Sequence, residues 1–271
     1  MSDASRARSR MRSSDSLVPE PGASSTTSRR PRRALVVKRL LDVTLSLCAL
    51  IAAAPLLLLV AIAIRITMGS PVLFRQVRPG LHGSPFAILK FRSMSAATDE
   101  DGELLPETER LTRLGYWLRK TSFDELPELW NVVRGEMSLV GPRPLLMEYL
   151  PYYDARQMRR HDMRPGVTGL AQVRGRHALD WDTRFEIDVR YVERWSLRLD
   201  ARVMRDTLSV LLDGQSGFAP GSEPPRFDEV SARPETAAVN GRASSTGAER
   251  PTPEVPGHAA PPGGTAAEKE A

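Results

Sequence analysis

Cysteine is nearly absent: Cys48 is the only one in the 271-residue chain. An intramolecular disulfide is thereby excluded, and a reducing compartment fits. Cys48 lies inside an apolar run, which raises a thiol pKa, so it is read as a packing residue rather than a nucleophile. Several enzyme signatures are also missing. There is no GxGxxG, P-loop, HExxH, GxSxG or paired CxxC, so dinucleotide, P-loop, zincin and hydrolase-elbow chemistry find no support.

Large apolar residues are scarce at both ends. Residues 1–33 are rich in Ser, Arg and Pro, and read as a disordered basic arm. Residues 214–271 contain no Leu, Ile, Met, Trp or Tyr but hold nine of the 22 prolines. Such a segment buries too little surface to offset its ordering entropy, and reads as a disordered tail whose removal leaves activity within a few-fold. Charge is equally uneven: residues 1–39 carry ten Lys/Arg against three Asp/Glu, and residues 214–271 carry five against eight. The net +5 therefore describes an arm, suited to an anionic membrane surface or nucleic acid, and not a basic domain.

What is present begins with residues 43–64, which carry no charge and are followed at once by Arg65. As a helix this run reaches roughly 33 Å, enough for a hydrocarbon core. Pro55 in its middle removes a helix hydrogen bond and bends the axis. Basic residues flank both sides, Arg29, Arg30, Arg32, Arg33, Lys38 and Arg39 before, Arg65, Arg75 and Arg78 after. A span shows positive charge on one side. Two readings stay open, a hairpin turning back at Pro55 and a kinked span.

Residues 72–94 read as strand, turn, strand, punctuated by Pro79-Gly80 and His82-Gly83. Leu111, Leu114 and Leu118 have helical spacing, and a further helix is expected from Ser122 to Arg134, ending at Gly135. Helices are also expected over residues 156–163 and 183–195, with Asp200 capping a last one through Leu212. Ser122 and Glu125 match a capping box. Asp124 and Glu125 then have two readings: first-turn acids favoured by the helix dipole, or an ionised aspartate beside a bound phosphate with a second carboxylate for Mg²⁺. Two prolines fix Arg143 in Gly141-Pro-Arg-Pro144, which suits bidentate phosphate recognition or a stiff surface turn. Gly166, Gly169 and Gly175, in residues 164–176, permit close approach to a ligand.

These residues resemble the bacterial sugar transferases, small monotopic polyprenyl-phosphate phosphoglycosyl transferases. The resemblance runs from Lys38 to Leu212. It rests on Lys38-Arg-Leu-Leu-Asp42, Lys90-Phe-Arg-Ser-Met94, Leu118-Arg-Lys-Thr-Ser-Phe-Asp-Glu-Leu-Pro127, and residues 131–144 and 160–176. It implies an α/β fold: a small cytosolic catalytic domain (residues 69–213) on the bacterial inner membrane, with a re-entrant membrane helix (residues 34–68) bent at Pro55 and flanking tails. It implies Asp124 as the nucleophile and, with Glu125, as the holder of Mg²⁺. Arg119, Arg143 and Arg176 fall on phosphate-binding positions, with Lys90 and Arg92 lining the site. The implied reaction transfers a sugar-1-phosphate from a UDP-sugar to a polyprenyl phosphate, through a phosphosugar–enzyme and with release of UMP. Membrane lipid is an implied partner and nucleic acid is not. Residues 147–162 resemble the branch containing the undecaprenyl phosphate N,N′-diacetylbacillosamine 1-phosphate transferases, with departures at Arg174 and His177. The competing functions are a membrane-tethered binding protein acting through its arm, and a hydrolase of nucleotide sugars.

Overall fold

A single helix, α1 (Arg32–Thr67), carries the whole apolar run and eleven residues more at its N-terminal end than the uncharged stretch required. The computed structural model describes residues 32–175, 179–212 and 226–227. Helix α1 continues through Pro55. The proline removes one hydrogen bond, but the apolar turns on either side keep theirs, so the expected break is not a loss of helix. By length and composition α1 is able to cross a membrane. Its outward face exposes Leu40, Leu45, Ile51, Leu58, Leu59 and Ile62, an apolar surface that calls for a lipid or protein cover. Cys48 lies on this exposed face, not in a core.

The opposite face is a stripe against the domain. Lys38, Asp42, Ser46, Val60 and Ile64 are buried, and Leu50, Leu57 and Ala61 pack on two core clusters. The steps of three and four residues are those of one helix face. At its N-terminal end the contacts are polar. The Lys38 ammonium donates to the Val140 carbonyl (3.1 Å) and to Asp200 (2.7 Å). Asp42 accepts from the Ser138 hydroxyl (2.7 Å) and the Leu139 N–H (3.2 Å). Arg39 donates to the carbonyls of Val132 and Val133 (2.7 and 3.0 Å) at the C-terminal end of a helix, where carbonyls outnumber the backbone donors within reach. Lys38 and Arg39 were read as flanking charge for lipid. They are docking residues instead, spent on partners roughly a hundred or more positions away in the chain.

Asp200 was expected to cap the last helix. It lies inside the first turn of α7 (Leu197–Leu212) and accepts from Lys38, the Tyr191 hydroxyl (2.7 Å) and the Trp195 indole (3.0 Å). Removing one member of such a buried ionic network costs about 3–5 kcal/mol, because the remaining charges lose their partner. Lys38→Met is therefore expected to lower the melting temperature of the detergent-solubilised protein by roughly 10 °C. A shift within about 2 °C would show that Lys38 does not anchor α1.

The rest is a mixed helix and sheet domain. The expected hairpin is present: β1 (Leu73–Pro79) pairs antiparallel with β2 (Pro85–Phe91), Leu73 opposite Phe91. The sequence then runs through α2 (Glu107–Arg110) and α3 (Arg113–Thr121) to α4 (Glu128–Arg134). A parallel pair joins β3 (Ser138–Val140) to β4 (Gly166–Thr168), followed by α5 (Leu170–Arg174), α6 (Trp181–Arg194) and α7. Residues 156–163, expected as a helix, form a 3-10 segment over Gln157–Asp162. Two of the three glycines expected to approach a ligand, Gly166 and Gly169, approach backbone, and Gly175 faces the Leu179 side chain. A Cβ on Gly166 would lie 2.1 Å from the Gly141 nitrogen, and one on Gly169 would lie 2.3 Å from the Gly141 carbonyl oxygen. Close β3–β4 packing demands them.

Candidate active site

The helix expected from Ser122 to Arg134 is divided. Ser122 is left-handed (φ 59°, ψ 20°), closes α3, and makes no side-chain cap bond, so no capping box forms. Phe123–Glu125 is a 3-10 turn, and α4 begins only after Pro127. Proline is tolerated in a first helical turn and not deeper, so Pro127 sets the start of α4. Asp124 and Glu125 thus stand on a tight turn between two helices, and the dipole argument for Asp124 does not apply.

That turn faces β2. Asn131 of α4 pins the strand, accepting from the Leu89 N–H (3.0 Å) and donating to the Ala87 carbonyl (2.8 Å). Lys90 is thereby held over the turn, 2.7 Å from Glu125 Oε1 and 3.2 Å from Glu128 Oε1. Arg143 reaches the same Glu125 Oε1 at 2.8 Å. Its loop is fixed from behind by Arg160, which donates to the Arg143 carbonyl and to Asp188, both at 2.7 Å. Arg119 donates to the Ser93 hydroxyl (3.0 Å) and lies close enough to Asp124 to stabilise its charge. Asp124, Glu125, Lys90, Arg119 and Arg143 are therefore brought together. Among the described residues no hydrogen bond or ion pair joins Arg92 to these side chains, and its Nε is buried without a hydrogen-bond partner. Arg176 lies outside the described residues.

Three carboxylates stand in one small volume, and their charges separate. Burial first, and then Glu125, push Asp124 up to about 6; Lys90, Arg119 and Arg143 offset this only partly. Burial acts on Glu125 too, but Arg143 and Lys90 outweigh it and hold the carboxyl well below the usual range. Burial pushes Glu128 up to about 7 against the pull of Lys90, with Glu125 adding to the rise. For Lys90, burial favours the neutral amine, yet Glu125 and Glu128 hold the ammonium above its ordinary value. Asp124 is buried, and among the described residues none forms an ion pair with it. It is an aspartate of raised basicity, still ionised at neutral pH.

Beside the cluster lies a cavity of about 70 Å³ lined by Arg78, Lys90, Glu128 and Arg143 with Ile88, Pro144 and Leu145. It adjoins Glu125's partners rather than Asp124 itself. Glu128 and Arg78 were not picked out from the sequence as site residues. The three-residue step from Glu125 to Glu128 was the available signal for the first. Arg78 had been counted only as flanking charge; burial and then Arg143 press its guanidinium down to about 10.

The profile of the family described as bacterial sugar transferase matches residues 33–214. The chain belongs to this family. A relative named "Uncharacterized sugar transferase EpsL", from Bacillus subtilis, is 49% identical over 178 residues, 66% of this chain and 88% of that protein. The protein named UDP-glucose:undecaprenyl-phosphate glucose-1-phosphate transferase of Caulobacter vibrioides is 43% identical over 193 residues, 67% of this chain and 72% of that one. Its namesake in Klebsiella pneumoniae is 41% identical over 181 residues, 63% of this chain but 39% of that protein. The chain is a bacterial sugar transferase. The bacillosamine branch suggested by residues 147–162 is not represented in these three names.

Proposed function

We propose that this transferase moves a sugar-1-phosphate from a UDP-sugar to a polyprenyl phosphate, by way of an aspartyl phosphosugar on Asp124. The observation that carries the reading is the pairing of one buried aspartate of raised basicity with a carboxylate locked by two cations. Asp124 has the raised basicity and the ionised state that a carboxylate nucleophile needs. Its oxygen attacks the donor's β-phosphorus, the bond to the bridging oxygen breaks, and UMP leaves with that oxygen. The lipid phosphate then attacks the same phosphorus, returns the Asp124 carboxylate, and becomes a polyprenyl diphosphate sugar. Arg143, Lys90 and Arg119 surround this turn with positive charge where phosphoryl oxygens gather it.

The residues fit Mg²⁺. Lys90 and Arg143 both take Glu125 Oε1, and no described residue is bonded to Oε2. Asp124 and Glu125 would hold the ion, which supplies charge neutralisation at the donor's diphosphate. Among the described residues no group of three or more acidic, His or Cys side chains forms a metal cage. A two-carboxylate site completed by substrate phosphates is the usual pattern for this ion.

Helix α1 supports a membrane placement. Both its ends contact the domain that bears Asp124, which supports a helix entering the inner membrane with both ends on the cytoplasmic side. The re-entrant path is the reading, with Pro55 at its apex. Single cysteines at Arg33 and Glu100, in a Cys48→Ser background, are both expected to resist a membrane-impermeant maleimide in intact cells. Periplasmic labelling at Arg33 would establish a span.

The donor sugar is first sought among the relatives' names. Labelled UDP-glucose, followed by other UDP-sugars, is expected to pass label to undecaprenyl phosphate in organic-extractable form. Release of free sugar phosphate without lipid product would establish a hydrolase instead.

A further inference from the structure

Beyond the family match, which ends at residue 214, one side chain returns to the domain. Phe227 is 5% exposed. It sits in a box of four aromatic rings from two regions: Tyr149 and Tyr153 on or beside the 3-10 segment Met147–Tyr152, and Trp181 and Phe185 on α6. Its centroid lies 4.9 Å from Phe185, 5.5 Å from Trp181, 5.6 Å from Tyr153 and 5.7 Å from Tyr149. The contacts to Phe185 and Tyr149 are edge-to-face, at 77° and 71°, the arrangement that aromatic quadrupoles favour. Arg226 forms an ion pair with Glu148 alongside. The tail composition that predicted disorder overlooked this ring, because one well-placed aromatic is invisible in an average over 58 residues, 214 to 271.

The box leads to the active site in two steps. Arg160 lies over Tyr153 and Phe185, 5.8 and 5.5 Å from their centroids. Its guanidinium donates to the Tyr153 hydroxyl (3.3 Å) and to the carbonyl of Arg143 (2.7 Å). Arg143 in turn grips Glu125. Leu145, two residues on, packs in the same aromatic cluster and lines the cavity beside the site. The loop that presents Arg143 therefore rests on a wall to which Phe227 contributes a ring.

We infer that Phe227 is a positioning residue: a latch from outside the family region that closes the aromatic box and holds the Arg143 loop in place for the donor's phosphates. The inference rests on the proposed role of Arg143, and it runs against the expectation that removing residues 214–271 leaves activity within a few-fold. Phe227 touches no reacting atom and acts through Tyr153, Phe185 and Arg160.

The test uses the full-length protein, with Phe227→Ala and the apolar replacement Phe227→Leu. Phe227→Ala is expected to raise KM for the UDP-sugar about fivefold to tenfold with kcat within about twofold, since small displacements of a binding group weaken ground-state contacts first. Phe227→Leu is expected to recover most of the loss. Hydrogen exchange in residues 141–163 is expected to quicken about tenfold in Phe227→Ala while exchange in β1 and β2 stays unchanged. Faster exchange with wild-type KM would confine Phe227 to packing and overturn the inference. Unchanged exchange and unchanged KM would overturn it as well. If the wild type transfers sugar from no UDP-sugar, the functional reading fails, and the exchange pattern still decides whether the latch holds the loop.

Discussion

Asp124→Asn is expected to abolish sugar-1-phosphate transfer, by on the order of 10⁴-fold or more, while UDP-sugar binding stays close to that of the wild type. The amide is nearly isosteric but cannot form an acyl phosphate. The change also removes a negative charge from beside Glu125, which eases the repulsion that lifts Asp124 in the first place. The fold should therefore tolerate it, and the melting temperature should hold or rise. Loss of turnover together with a stable, donor-binding protein is the combined signature. Turnover within tenfold of the wild type would remove Asp124 from the chemistry.

Glu125→Gln comes second, with a loss of roughly 10²- to 10³-fold. Glu125 is the only described carboxylate that meets both Lys90 and Arg143, and its Oε1 serves both. With an amide there, two cations lose the anion that sets their positions, a penalty of about 3–5 kcal/mol. Arg143 swings from its place and the carboxylate available to Mg²⁺ is lost with it. The expected kinetics differ from those of Asp124→Asn: KM rises, kcat falls without vanishing, and excess Mg²⁺ restores part of the activity. A wild-type KM would show that Glu125 does not organise the phosphate-binding cations.

The sequence made the candidate site more legible than the contacts that support it. Asp124, Glu125 and Arg143 stand in short, ordered motifs, and the β1–β2 hairpin announces itself through Pro79, Gly80 and Gly83. Features set by neighbours along the chain were readable in this way. Contacts made across the chain were not. Lys38 and Arg39 looked like a membrane flank, and Asp42 had no stated role, because local pattern carries no sign of Asp200, Val132 or Ser138, their distant partners. The Ser122 cap failed for a local reason that was readable: Pro127 stands inside the expected helix, where a ring clash and a missing N–H forbid it. Glu128 looked like an ordinary helix acid, since only its burial beside Lys90 distinguishes it. Phe227 was hidden by composition, which reports on a whole segment and not on the one ring that finds a site.

The covalent step is the central claim, and it separates from direct transfer in an experiment without acceptor. Purified protein is mixed with Mg²⁺ and a UDP-sugar carrying label in the sugar, with no polyprenyl phosphate present. A two-step reaction through Asp124 predicts a burst of UMP approaching one equivalent per enzyme, label bound to protein, loss of both in Asp124→Asn, and discharge of the label to lipid when polyprenyl phosphate is added. UMP that appears only after lipid is supplied, with no label on the protein at any time, would contradict it.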